Sequence, residues 1–178
     1  LPLPKARSGN FATVYKVVSG QHSWAVRCFT RTIHEDQQIR YAAVSRHLAS
    51  VSLPYSVGFT FLPKGIRVNN SWFPILKMEW IDGASLGSHI ERLLRERAPL
   101  RPLAEKWVTM VETLQRSGIA HGDLQHGNVL VIRDTLRLID YDGMYVPELA
   151  GQTSHESGHP NYQHPLRDAN YYSPDLDN

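Results

Sequence analysis

His121-Gly122-Asp123-Leu124-Gln125-His126-Gly127-Asn128 is followed, after two short apolar runs, by Asp140-Tyr141-Asp142-Gly143. The runs are 129–132 (VLVI) and 135–139 (TLRLI). They flank Arg133-Asp134 and predict a β-hairpin. A hairpin returns its two ends to one place, so Asp123, Asn128 and Asp140 are expected to converge. Mg2+ prefers hard oxygen ligands and takes one or two carboxylates beside phosphate oxygens. Asn128 and Asp140 suit its ligation. Asp123, standing off the metal, suits acceptance of a hydroxyl proton. Phosphoryl transfer needs little beyond positioning and charge neutralisation.

Working outward, the first third of the chain reads as strands. Residues 11–18 (FATVYKVV) and 24–29 (WAVRCF) are rich in β-branched and aromatic side chains, split by the turn Ser19-Gly20-Gln21-His22. Tyr41, Val44, Leu48 and Val51 recur at helical spacing up to Pro54. Two more strand stretches follow, 58–62 with 65–68 and then 72–81 (WFPILKMEWI), joined through Asn69-Asn70-Ser71. Beyond Asp82-Gly83 the period becomes helical. Leu86, Ile90, Leu93 and Leu94 form one stripe. A second helix over 104–117 turns Trp107, Val108, Val111 and Leu114 inward, with Gly118 just past its end. Strands with one helix, then helices with a hairpin, predict an α+β fold in two lobes, 1–81 and 82–178, with a hinge over 79–83.

Composition excludes several classes. The 178 residues fit one domain, at 42% apolar and 20% charged. A net charge of +2 gives no reason to expect nucleic acid as a partner. The single cysteine, Cys28, rules out an internal disulfide framework and fits a reducing, cytoplasmic setting. It reads as a small buried residue on a strand. No apolar run approaches the ~18 residues of a membrane span, and no export signal stands at the start. The chain opens on Leu1 and stops at Asp177-Asn178, which reads as a fragment of a longer protein.

The order of these stretches resembles the protein-kinase-like superfamily, specifically a bacterial-type Ser/Thr protein kinase of atypical sequence. HGDLQHGN resembles the catalytic-loop pattern H-R-D-L-x-x-x-x-N, and DYDG resembles D-F-G. SGNFATVYKV, from Ser8, is similar to the glycine-rich loop over the phosphates. WAVRCF is similar to V-A-I-K. MEWIDGASL resembles the hinge, and GHPNYQHP resembles the substrate-facing close of the activation segment. Each motif alone is common; six in family order are not. The resemblance implies a two-lobed kinase-like fold, a small β-rich N-lobe with one helix plus an incomplete, mostly helical C-lobe ending at the start of its central helix. It implies ATP and Mg2+ as cofactors and a protein substrate. Asp123, Asn128 and Arg27 would be catalytic. Ser8, Gly9, Asn10, Phe11, Val14, Ala25, Arg27, Met78, Glu79, Trp80 and Asp140 would surround the nucleotide, with Asn128 and Asp140 on the metal. Asp177 would brace the catalytic loop.

The chain departs from the family pattern at named positions. Arg27 stands where kinases place lysine, and its planar fork differs from a point charge. Glu35 is the named candidate for its helix partner. Arg7 and Ala12 replace two loop glycines, Gly122 replaces the arginine of H-R-D, Gln125 a lysine, and Leu166 the glutamate of A-P-E. Two alternatives follow from these departures. One is a pseudokinase, a nucleotide-binding or interaction module without transfer. The other is a small-molecule phosphotransferase of aminoglycoside- or choline-kinase type, against which stands the loop GHPNYQHP. The histidines His121, His126, His155, His159 and His164 raise zinc as a further alternative, without a cysteine or glutamate at ligand spacing.

Overall fold

The computed structural model describes residues 6–8, 12–30 and 32–177. Gly9, Asn10 and Phe11, assigned to the phosphate loop, lie outside the described residues. The chain divides into two units, Leu1–Ser45 with Val57–Ile81, and Arg46–Ser56 with Asp82–Asn178. The sequence boundary at 81/82 recurs here, but 46–56 belongs with the second unit and not with the first.

Alternating β-branched and aromatic residues build one antiparallel sheet in the first unit. Its strands are β1 (Ala6–Ser8), β2 (Ala12–Ser19), β3 (His22–Phe29), β4 (Phe59–Val68) and β5 (Ser71–Glu79), in the order β1-β2-β3-β5-β4. Asn69 and Asn70 both have positive φ, 46° and 69°, and Val68 pairs with Ser71. That is the two-residue turn whose twist matches the strands it joins, and asparagine tolerates it. β4 runs unbroken past Pro63 because a register shift between Leu62 and Ile66 absorbs the extra residues.

Directly opposed residues share a face of a sheet. Val14 opposes Arg27, Arg27 opposes Leu76, Ala25 opposes Met78, and Phe61 opposes Leu76. Helix α1 (Gln37–Val51) lies on this face: the Tyr41 ring stacks on Phe61 at 5.3 Å and meets Phe59 edge-on at 5.7 Å. Tyr41, Val44 and Leu76 are buried there. Arg27 therefore points to the α1 side of the sheet, with its guanidinium carbon 5.8 Å from the Phe29 ring centre.

The second unit carries α2 (Leu86–Arg95), α3 (Arg101–Arg116) and a three-stranded antiparallel sheet, β6 (Ala84–Ser85), β7 (Val129–Ile132) and β8 (Thr135–Leu138). Ser85 caps α2, its hydroxyl accepting the Ser88 N–H at 3.2 Å. On α3 the inward row passes through Trp107, Met110 and Leu114, with Met110 and Leu114 buried. Val108, expected inward, is 53% exposed, because it stands one residue and about 100° off that row. Leu94, also expected inward, is 58% exposed at the end of α2. Nor is this unit mostly helical. After α3, the helical structure among the described residues is two short 3-10 turns, Pro147–Leu149 and Pro160–Tyr162.

The irregular stretch after β8 is nonetheless packed. Tyr141, Met144, Tyr145, Val146, Leu149, Tyr172 and Leu176 are all buried. The Tyr172 hydroxyl donates to the Met144 carbonyl at 2.5 Å, and its ring meets Tyr145 edge-on at 5.2 Å. The end of α1 and the turn after it join this unit by long-range bonds. A His47 ring nitrogen bonds the Ser117 carbonyl at 2.9 Å, and the Leu138 N–H donates to the Tyr55 carbonyl at 2.8 Å. Among the described residues no helix is long and apolar enough to cross a membrane.

Candidate functional site

Two loops of the second unit, 121–128 and 139–144, are fastened to each other at both ends. Before the first loop, Ala120 and Tyr145 exchange backbone hydrogen bonds at 2.8 and 3.3 Å. After it, Val129 opposes Leu138, and the Ile139 N–H donates to the Asn128 carbonyl at 3.0 Å. Asp140 follows directly, with a left-handed φ of 67° that few non-glycine residues adopt. The hairpin thus brings Asp123, Asn128 and Asp140 onto adjoining loops.

His121 is fully buried, and one ring nitrogen, Nε2, lies 3.0 Å from the Ile139 carbonyl oxygen. A carbonyl only accepts, so Nε2 carries the proton. The Asp177 carboxylate accepts the N–H groups of His121 at 2.5 Å and Gly122 at 2.9 Å. Asp177 therefore sits against the start of the loop 121–128. Gly122 has φ +77°, and a Cβ there would lie 2.1 Å from the Gly143 carbonyl oxygen. The arginine of H-R-D has no room at this position, since the second loop passes across it.

Asp123 accepts three hydrogen bonds at its carboxylate. Asn128 Nδ2 and Gln125 Nε2 donate to Oδ2 at 2.7 and 3.0 Å, and the His159 N–H donates to Oδ1 at 2.6 Å. Asn128 Nδ2 also donates to the Asp123 carbonyl at 2.9 Å. The amide of Asn128 thereby spends both its hydrogens on Asp123. Turning it over would set its oxygen against two acceptors, so the network fixes its orientation. Oδ1 remains as its acceptor, the kind of oxygen a hard cation takes, beside the loop that carries Asp140. The donor set fits Mg2+ better than zinc, being all oxygen.

The candidates in the first unit divide by face. Val14, Ala25, Arg27 and Met78 share the α1 side of the sheet; Glu79, opposite Trp24, is on the other side and exposed. Trp80 donates its N–H to the Ser23 carbonyl at 3.0 Å, and its ring lies 4.9 Å from the Lys16 ammonium. Ser8 closes β1. Glu35 is exposed in the turn before α1, and α1 itself holds no acidic residue. The helix therefore supplies no acid to Arg27. Its buried cation, Arg40, is paired instead with Asp36 of the preceding turn at 2.6 Å. Cys28 is only half-buried, and that burial pushes its thiol pKa up.

The five histidines do not gather. Among the described residues no three of them bring ligand nitrogens together. His126 Nδ1 bonds the Tyr162 hydroxyl at 2.5 Å. The Nδ1 atoms of His159 and His164 each accept a backbone N–H two residues on, both at 3.2 Å. For His159 and His164, local turn bonds account for the ring placement.

Arg167 is a residue the sequence did not mark. Its guanidinium donates to the Gly122 carbonyl at 2.6 Å, to the Glu156 carbonyl at 3.1 Å, and to Gln163 Oε1. Burial pulls its pKa down, and the Asp177 and Asp123 carboxylates oppose that. A lone arginine after Pro165-Leu166 looks like any surface cation, so only the fold could reveal it. No protein-family model matches the chain, and no curated protein matches it either.

Proposed function

We propose that this chain has a protein-kinase-like two-lobed fold and transfers the terminal phosphoryl group of ATP to a Ser or Thr hydroxyl of a protein. The observation that carries the reading is the Asn128 amide. Its two hydrogens are held by Asp123 at 2.9 and 2.7 Å, which presents its oxygen for metal ligation and holds the neighbouring carboxylate in place. Asn128 and Asp140 would hold Mg2+, which would supply charge neutralisation at the phosphates. Asp123 orients the attacking hydroxyl and accepts its proton as the new O–P bond forms and the bond to the bridging oxygen breaks. Arg27 contacts phosphate. Val14, Ala25 and Met78, together on one sheet face, flank the nucleotide, and Trp80 lines the adenine side.

A protein substrate is favoured over a small molecule by the loop 158–165. Its His159 N–H bonds Asp123 Oδ1 at 2.6 Å, which ties the peptide-facing segment to the acceptor itself. A second reading, nucleotide binding without transfer, is favoured by the arginine at position 27, whose planar fork differs from the point charge of lysine. One assay decides between them. Labelled ATP with Mg2+ is offered with Ser/Thr protein substrates, and separately with aminoglycosides and choline. Transfer to protein is expected, and Asp123→Ala should lower turnover by roughly 10²–10⁴-fold while nucleotide binding persists. Absence of transfer with ATP still bound would establish the binding module. Transfer undiminished in Asp123→Ala would sink the assignment of the acid.

A further inference from the structure

We propose that Arg167 is a positioning residue of this site, locking the segment 156–167 onto the loop that carries Asp123 without any added phosphate. The inference rests on the reading above and names what holds that site in order. Gly122 directly precedes Asp123. Asp177 takes the Gly122 N–H at 2.9 Å and Arg167 takes its carbonyl at 2.6 Å, so both peptide groups around Gly122 are fixed by ionised side chains. Hydrogen bonds to charged groups are roughly twice as strong as neutral ones.

The same guanidinium reaches the Glu156 carbonyl at 3.1 Å and the Gln163 side chain, so one cation joins two points of the segment to the loop. The contact is close. A Cβ on Gly158 would lie 2.6 Å from the Gly122 oxygen and 2.5 Å from Gln163 Nε2. One residue further on, the His159 N–H reaches Asp123 Oδ1 at 2.6 Å. Arg167 therefore governs the approach of a donor to the proposed proton acceptor. Gly122 stands where the pattern H-R-D has arginine, and the cation that holds this loop comes from the segment 156–167. A planar fork serving three acceptors is a task lysine does not duplicate.

The test is amide hydrogen exchange on the full chain, with steady-state kinetics alongside. In Arg167→Gln, peptides over 119–128 and 150–165 should exchange at least tenfold faster, while the β7–β8 hairpin keeps its wild-type rate. Turnover should fall at least tenfold with KM for ATP unchanged, and free guanidinium should restore part of it. Arg167→Lys keeps the charge and guards against a misfolded glutamine variant; it should show the same two faster segments to a smaller degree. Wild-type exchange in a folded variant, with unchanged turnover, overturns the proposal. Faster exchange in a chain whose wild type transfers no phosphate leaves the clamp standing and removes the kinase reading.

Discussion

Gly122 shows how a single residue records its neighbours. Its φ of +77° alone disfavours any side chain, and the Gly143 oxygen 2.1 Å from the missing Cβ forbids one unless the second loop moves. Gly122→Arg, which would reproduce the H-R-D pattern, is therefore expected to damage the protein. A non-glycine residue forced into such backbone costs about 1–3 kcal/mol, and displacing a backbone carbonyl adds to it. The denaturation midpoint should drop by more than about 2 kcal/mol equivalent, with turnover falling as well. A midpoint within error of wild type would show that the two loops separate easily. At this scale the placing of Asp123, Asn128 and Asp140 on adjoining loops was readable, because their spacing around a hairpin is local. Arg167 was not, because its partners Gly122 and Glu156 lie 45 and 11 residues away and follow from no period.

Elements were legible where one face is buried and the other wet. The β2–β3 and β4–β5 pairs, α1 and the β7–β8 hairpin all announced themselves by period and turn residues. The errors share one cause: Val108 and Leu94 are apolar residues at the edge of a stripe, and hydrophobicity alone does not say where the stripe stops. The two hairpin turns offer a matched test. Asn69-Asn70 and Arg133-Asp134 both hold two residues at positive φ, but arginine, at 42°, has none of asparagine's tolerance for it. Arg133→Asn should stabilise the protein by about 0.5–1 kcal/mol, and Asn70→Val should destabilise it by about 1–2 kcal/mol, read from urea midpoints at constant slope. Equal midpoints for all three proteins would show that turn conformation is not limiting. A second interaction at the tip is weaker. Lys106 hydrogen-bonds Asp134 and holds its carboxyl below the ordinary value. That contribution is present above the ordinary carboxylate pKa and is lost as pH falls through the lowered one. Full exposure keeps it small.

For the whole molecule, the composition shift near Asp82 coincides with the unit boundary at 81/82, but 46–56 went unnoticed. Helix α1 continues without a break past Ser45, so no residue in it signals a change of neighbours. The bonds that claim this stretch, Tyr55 to Leu138 and His47 to Ser117, span about 70 to 83 residues. The proposed function gives roles to Arg27 and to Asp140, and each can be tested singly. ATP with Mg2+ at about 100 times its dissociation constant should add about 2.7 kcal/mol to stability, which at this chain length raises the melting temperature by roughly 5–10 °C. Arg27→Met and Asp140→Ala, each made singly, should weaken binding. If each does so about 100-fold, the same ATP concentration adds only about 0.4 kcal/mol and the rise shrinks to roughly 1–2 °C. Omitting Mg2+ should reproduce the Asp140→Ala result in the wild type. A full rise surviving in Arg27→Met would place the nucleotide away from β3, and one surviving in Asp140→Ala would separate nucleotide binding from the paired loops.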